Sequence, residues 1–261
     1  MGWKGIAIGG SLGSFFGGPL GAILGAALGH KVEESLSGGG DSQRTYSRTI
    51  IPPQRRSLVF CASAAAMLAK LAKADGRVSG DEIESVEEAF RRLGFSQSAR
   101  ELAIDSFRRA KDDSHTIYEY ARDFAAAVES IDVRELFYEL LWDLACADGA
   151  VSSEEMHILH QIPRELRIRG EWFSFFASRR LRSGGGEEPA ANRLAEAYAT
   201  LGASPSDKPE ELRRKYRDLA KRNHPDALRA QGLPEELVGK ATARMSRINE
   251  AWAEIRAARG M

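Results

Sequence analysis

The sequence predicts an all-α protein: an N-terminal transmembrane helix, a central helical bundle and a small C-terminal domain of three to four helices. Three observations carry that prediction. Ile6 to Leu28 holds no charged side chain. Arg56 to Arg182 shows long runs of 3.6-residue apolar periodicity with almost no β-branched alternation. Three further amphipathic stripes follow Pro189.

At 261 residues the chain exceeds the usual single domain, so two folded units with connecting segments are expected. The composition shifts place a membrane segment at 1–30, a Gly/Ser- and Pro-containing tether at 31–55, a helical domain at 56–182, a Gly-rich linker at 183–191 and a C-terminal module at 192–261. The 37 basic and 37 acidic residues balance, so no global field marks a nucleic-acid binder, and none is expected as a partner. Cys61 and Cys146 lie in apolar helical stretches without zinc-site spacing and read as buried thiols of a reducing compartment.

The uncharged stretch is 23 residues long, and a helix rising 1.5 Å per residue would cross a hydrocarbon core of about 30 Å. Glycine recurs at every fourth position through Gly5, Gly9, Gly13, Gly17, Gly21, Gly25 and Gly29, forming a ridge without side chains on one helix face. Such a ridge is a candidate seam for a homodimer within membrane lipid. The flanks fit a cleaved signal peptide poorly. A glycine zipper that inserts only partway stays open as an alternative, because glycine dilutes the hydropathy and Pro19 can kink the helix. Lys31, Arg44, Arg48, Arg55 and Arg56 outnumber Lys4 and the terminal amine, so the bulk of the chain is expected in the cytoplasm. A single-pass membrane protein with a short N-terminal tail outside and the rest of the chain in the cytoplasm follows; the family resemblance given below implies the bacterial inner membrane, with that tail in the periplasm.

Within the middle domain, Leu68 to Glu82 and Leu141 to Glu155 resemble each other at an offset of 73 residues. Each copy runs from an apolar helix through an Ala-Asp-Gly turn to Ser79 or Ser152, with a carboxylate three residues on, the pattern of a capping box. The repeated Ala-Asp-Gly-x-Val-Ser-x-x-Glu motif resembles the TerB (tellurite-resistance-like) family, which implies a compact helical bundle with Asp75 and Asp148 in equivalent loops. Some members are suspected of holding metal in such loops, making these two aspartates the metal candidates. Each loop lacks the oxygen ligands of a calcium site, and an Asp before Gly ordinarily closes a turn, so no metal is expected. His115, His157 and His160 lie in helix-like stretches without metal-ligand spacing.

Three helical patterns follow. Asn192 to Leu201 places Leu194, Ala197, Tyr198 and Leu201 on one face; Pro209 to Arg222 turns Leu212, Tyr216 and Leu219 inward; Pro234 to Ala258 carries Leu237, Ala241, Met245, Ile248, Trp252 and Ile255. From Lys208 to Arg222 there are seven basic residues against three acidic, a positive docking surface. Pro225 then pushes His224 out of helical geometry and fixes a turn. The run Lys215-Tyr216-Arg217-Asp218-Leu219-Ala220-Lys221-Arg222-Asn223-His224-Pro225-Asp226, preceded by Ala197-Tyr198-Ala199-Thr200-Leu201-Gly202, resembles the J-domain.

That resemblance implies a co-chaperone and not an enzyme: a module that stimulates ATP hydrolysis by a DnaK-type heat-shock chaperone. Arg213, Arg214, Arg217, Lys221 and Arg222 would dock on an acidic groove of the chaperone, His224, Pro225 and Asp226 would trigger it, and Asp226 would pair with an arginine there. No cofactor is implied. The insertion Ala227 to Glu236, the C-terminal position of the J-domain, the TerB-like middle and the Gly-rich segment together resemble the membrane-anchored DnaJ-like co-chaperone (DjlA) family along nearly the whole chain. The expected role is recruitment of the chaperone to the cytoplasmic face of the inner membrane for specific clients, which the sequence does not name, or for envelope-stress regulation. The alternative is a metal- or stress-responsive membrane scaffold built on the TerB-like domain, with the J-domain secondary.

Overall fold

The computed structural model describes residues 18–25, 53–74, 81–146, 151–170 and 190–261, all-helical with short connections. Contacts divide the chain into two units, Met1–Ile168 and Arg169–Met261. In the first, α1 covers residues 18–25, followed by α2 (Pro53–Ala74), α3 (Asp81–Arg92), α4 (Gln97–Asp112), α5 (Ile117–Ala127), α6 (Ile131–Ala145) and α7 (Ser153–Glu165). The second holds α8 (Ala190–Thr200), α9 (Pro209–Asn223), α10 (Pro225–Ala230), a 3-10 turn (Glu235–Leu237) and α11 (Val238–Arg259).

Helix α2 is the axis of the first unit, with α4, α5, α6 and α7 all packed on it. Its stretch Arg56–Ala74 is long and apolar enough to cross a membrane by composition, with mean hydropathy 1.4. Here protein covers it instead: between Val59 and Leu71 every residue except Leu68 is buried. The alanines at 62, 64, 65, 66 and 69 are fully covered, and their small side chains let neighbouring helices approach from several sides. Phe60 sets its edge against Phe124 at 5.2 Å and Phe137 at 5.7 Å, while those two rings stack at 3.8 Å.

One charge on α2 is also buried. Lys70 Nζ donates to Asp113 Oδ1 at 2.5 Å and to the Asp113 carbonyl at 3.0 Å, and the Tyr120 hydroxyl donates to the other carboxylate oxygen. Burial pushes the Asp113 carboxyl upward, but the hydrogen bonds from Lys70 and Tyr120 outweigh it and hold the group below the ordinary aspartate value. The α4–α5 turn is thereby tied to α2. His115 sits in this turn and not in a helix as its sequence context suggests.

Capping fixes several helix starts. Ser152 and Glu155 form the reciprocal capping box the sequence predicts; Ser79 and Glu82 lie where the side chains are outside the described residues. A second box, Thr116 with Glu119, opens α5. Cys61 is buried, whereas Cys146 is half-buried at the C-cap of α6, so the expectation of two buried thiols holds for Cys61 only.

Residues 18–25 belong to the uncharged N-terminal stretch. Gly18, the first residue of α1, has φ +72°, a conformation that glycine adopts without strain. Leu20, Ile23 and Leu24 are buried, and the Asp123 carboxylate accepts from the Leu20 N–H at 3.0 Å. Gly21 and Gly25 are buried as well; Gly9, Gly13 and Gly17 lie outside the described residues, as do Asp75 and Asp148.

Helix α7 carries Pro163 inside it, which removes the N–H that would bond to the Leu159 carbonyl. The buried Tyr138 hydroxyl on α6 donates to that oxygen at 2.8 Å. Burial raises the tyrosine above its usual pKa and keeps it a donor. Replacing Tyr138 by Phe should therefore cost about 1–2 kcal/mol by orphaning a buried acceptor. Because Pro163→Ala restores the backbone donor, the same Tyr138→Phe change should cost clearly less in that background. Urea denaturation of the two single variants and the double variant measures the coupling, and equal costs in both backgrounds would refute it.

Candidate functional site: the basic helix and the His-Pro-Asp turn

The second unit is built on α11, which packs against both α8 and α9. Ala197, Tyr198, Leu201, Leu212, Leu219, Ile248, Ala251 and Ile255 form its core, with Leu194, Tyr216 and Trp252 partly buried against it. Of the inward positions the sequence suggests, Met245 is half-buried, while its neighbour Arg244 is 3% exposed. Helix α8 ends at Gly202, whose φ of +57° lets Ala203 N–H reach the Tyr198 carbonyl at 2.8 Å.

The connection between α8 and α9 is pinned from both neighbouring helices. Lys215 donates to Asp207 at 2.6 Å and to the Gly202 carbonyl at 3.0 Å. Arg259 donates to the Tyr198 hydroxyl at 2.7 Å and to the Asp207 carbonyl at 2.8 Å. Lys215 is therefore a structural cation, half-buried and turned away from the positive surface to which the sequence assigns it. Arg213, Arg214, Arg217, Lys221 and Arg222, the five residues singled out for docking, are all exposed. Arg213, Arg217 and Lys221 recur at four-residue spacing along one ridge of α9. Beside that ridge Tyr216 stacks on Trp252 with ring centroids 4.9 Å apart, and its hydroxyl donates to Asn249 Oδ1 at 3.1 Å.

At the end of α9, Asn223 is 1% exposed and its amide donates to the Leu219 carbonyl at 2.9 Å. His224 leaves the helix at φ −62°, ψ 132°, the extended geometry that a following proline imposes. Pro225 is the first residue of α10, where a missing N–H costs nothing, so the motif joins two helices. His224 Nδ1 accepts from the Asp226 N–H at 3.3 Å, and the side chains of His224 and Asp226 are 57% and 74% exposed. The tip thus presents an imidazole and a carboxylate to solvent on a backbone held by proline.

The insertion after the motif is a folded element. Leu228, Leu233 and Leu237 are buried, and Gly232 turns the chain with φ +109°. From α10, Arg229 reaches back to Asp226 Oδ1 at 2.8 Å and forward to both oxygens of Glu235 at 3.1 and 3.0 Å. Arg229 and Glu235 are not among the site residues expected from the sequence, although Pro225 with Asp226 in a first turn is a helix-start signal and Arg229 stands three residues beyond the aspartate. Among the described residues no cluster of His, Cys, Asp or Glu is suited to hold a metal ion.

A three-helix core, a basic second helix and an extended, exposed His-Pro-Asp turn are the features of the J-domain class that the sequence resembles. Comparison with known proteins gives the particular family. A family model described as the tellurite resistance protein TerB matches residues 62–176, and one described as the co-chaperone DjlA transmembrane domain matches residues 1–40. The chain is 30% identical to the co-chaperone protein DjlA of Coxiella burnetii over the full length of both. It is also 30% identical to that of Vibrio cholerae, over 89% of this chain and 90% of the relative. To the Escherichia coli K12 protein it is 28% identical, over 79% and 82%. This chain belongs to the DjlA co-chaperone family. No solved structure matches it.

The proline is the testable element of this geometry. Pro225→Ala should remove the bar on helical backbone at His224, so that α9 can run into α10. Backbone chemical shifts of residues 222–227 should move toward helix, and an unchanged extended His224 would show that tertiary contacts hold the turn without the proline.

Proposed function

We propose that this protein recruits a DnaK-type heat-shock chaperone to the cytoplasmic face of the bacterial inner membrane and stimulates its ATP hydrolysis. The supporting observation is the exposed, extended His-Pro-Asp turn at the end of a helix with five exposed basic side chains. The basic ridge attracts an acidic surface over a range of about one Debye length and orients the encounter. The tip then makes the short-range contacts, and Asp226 supplies a carboxylate for a charge-assisted bond to a chaperone arginine. The chain acts by biasing the conformational equilibrium of its partner toward hydrolysis. Residues 56–182 choose the client or regulator, and the N-terminal segment anchors the chain in the membrane.

His224→Gln should abolish stimulation of the chaperone ATPase while leaving far-ultraviolet circular dichroism unchanged, because the side chain is exposed and outside the core. Full stimulation by this variant would overturn the mechanism. Reversing Arg214 and Arg217 to Glu should weaken docking by about tenfold at low ionic strength, with the deficit shrinking as salt screens the encounter. A deficit independent of salt would place these arginines outside the electrostatic contact.

A further inference from the structure

Asp226 is held by its own chain. Its Oδ1 accepts from Arg229 Nη1 at 2.8 Å, while its Oδ2 lies 3.7 Å from His224 Nδ1. Arg229 is oriented in turn by a two-pronged contact with Glu235, through Nε at 3.1 Å and Nη2 at 3.0 Å, the planar fork that a guanidinium and a carboxylate share. The backbone beneath is fixed from inside. Leu228 is fully buried and accepts from Leu233 N–H at 2.9 Å, and Leu233 is 3% exposed. The insertion therefore anchors Arg229 against the core while its head group stays at the surface, 41% exposed.

Charge decides what such an arrangement does. Arg229 alone beside Asp226 would neutralise the carboxylate and repel an incoming cation. Glu235 offsets that charge, so the trio keeps the net charge of a single aspartate. One oxygen of Asp226 is used to fix the side chain, and with 74% of that side chain exposed the carboxylate stays accessible. We infer that Arg229, balanced by Glu235, is a positioning residue for the His-Pro-Asp motif: it pre-orders the Asp226 carboxylate for a cationic group on the chaperone. This rests on the co-chaperone reading above and deepens it. The contribution to folding is small, because exposed ion pairs of this kind stabilise little. Its value lies in ordering before docking a side chain that would otherwise be ordered during it.

The test uses the full chain in lipid nanodiscs, titrated into a DnaK-type chaperone while ATP hydrolysis is followed. Arg229→Met, which keeps the apolar stem and removes the fork, should raise the half-stimulating concentration about 3- to 10-fold with the maximal rate unchanged. Glu235→Gln should also raise it, because the guanidinium is then left to neutralise Asp226. The double variant should be no worse than the worse of the two single ones, since the residues act as one unit. Arg229→Lys should recover part of the loss, because a single ammonium can hold Asp226 but cannot span both carboxylates with a planar fork. Thermal unfolding is measured in parallel. A lowered maximal rate together with a lowered melting temperature would assign Arg229 a structural role and overturn the inference. So would wild-type stimulation by Arg229→Met, or a lower half-stimulating concentration, which would mean that Arg229 masks Asp226. His224→Gln serves as the separate control: if it stimulates fully, the co-chaperone mechanism fails and not the positioning role alone.

Discussion

The middle unit is organised by the burial of α2. A helix covered on nearly every face from Val59 to Leu71 must be apolar all round, and its neighbours can close on it only where side chains are small. Five alanines meet that demand, and Phe60 fills the space where α5 and α6 bring Phe124 and Phe137 together. Once the helix is enclosed, its one buried cation must find a partner, since an unpaired charge in such a place is strongly unfavourable. Lys70 therefore fixes the α4–α5 turn through Asp113, and Tyr120 closes the same carboxylate from α5. The order of dependence runs from apolar core to buried charge to loop.

Proline plays opposite structural parts in the two units. At Pro163 the missing N–H leaves a carbonyl inside a helix, which Tyr138 satisfies from another helix. At Pro225 the same missing N–H lies at a helix start, where it needs no remedy, and the steric effect on the preceding residue becomes the useful one. An extended His224 follows from that local chemistry. The surrounding core adds exposure and direction: Leu219 and Asn223 are buried beneath the tip, and Leu228 is buried just past it.

The C-terminal unit devotes cations to distinct tasks that composition alone does not separate. Lys215 and Arg259 hold the connection between α8 and α9, and Arg229 holds the aspartate of the motif. Arg213, Arg214, Arg217, Lys221 and Arg222 stay exposed on α9. A local excess of positive charge is thus an upper limit on the docking surface. Which lysine or arginine belongs to it depends on carboxylates and carbonyls brought close by folding.

Periodicity, proline position and charge patterning were sufficient to determine from sequence the all-helical class, most of the inward positions of the C-terminal unit, the capping box at Ser152 and the extended backbone at His224. Each rests on residues a few positions apart, where helix geometry alone sets the outcome. The reading of Cys146 as buried, of His115 as helical and of Lys215 as part of the basic face depended on neighbours distant in the chain, and there the tertiary structure decided otherwise. The same holds for the Lys70–Asp113 pair, 43 residues apart, and for the Tyr138 hydroxyl that answers Pro163. Arg229 lies between these cases. Its spacing from Asp226 was legible, but its orientation required Glu235 to be placed opposite it, and the burial of Leu228 and Leu233 that does so is a property of the packed insertion.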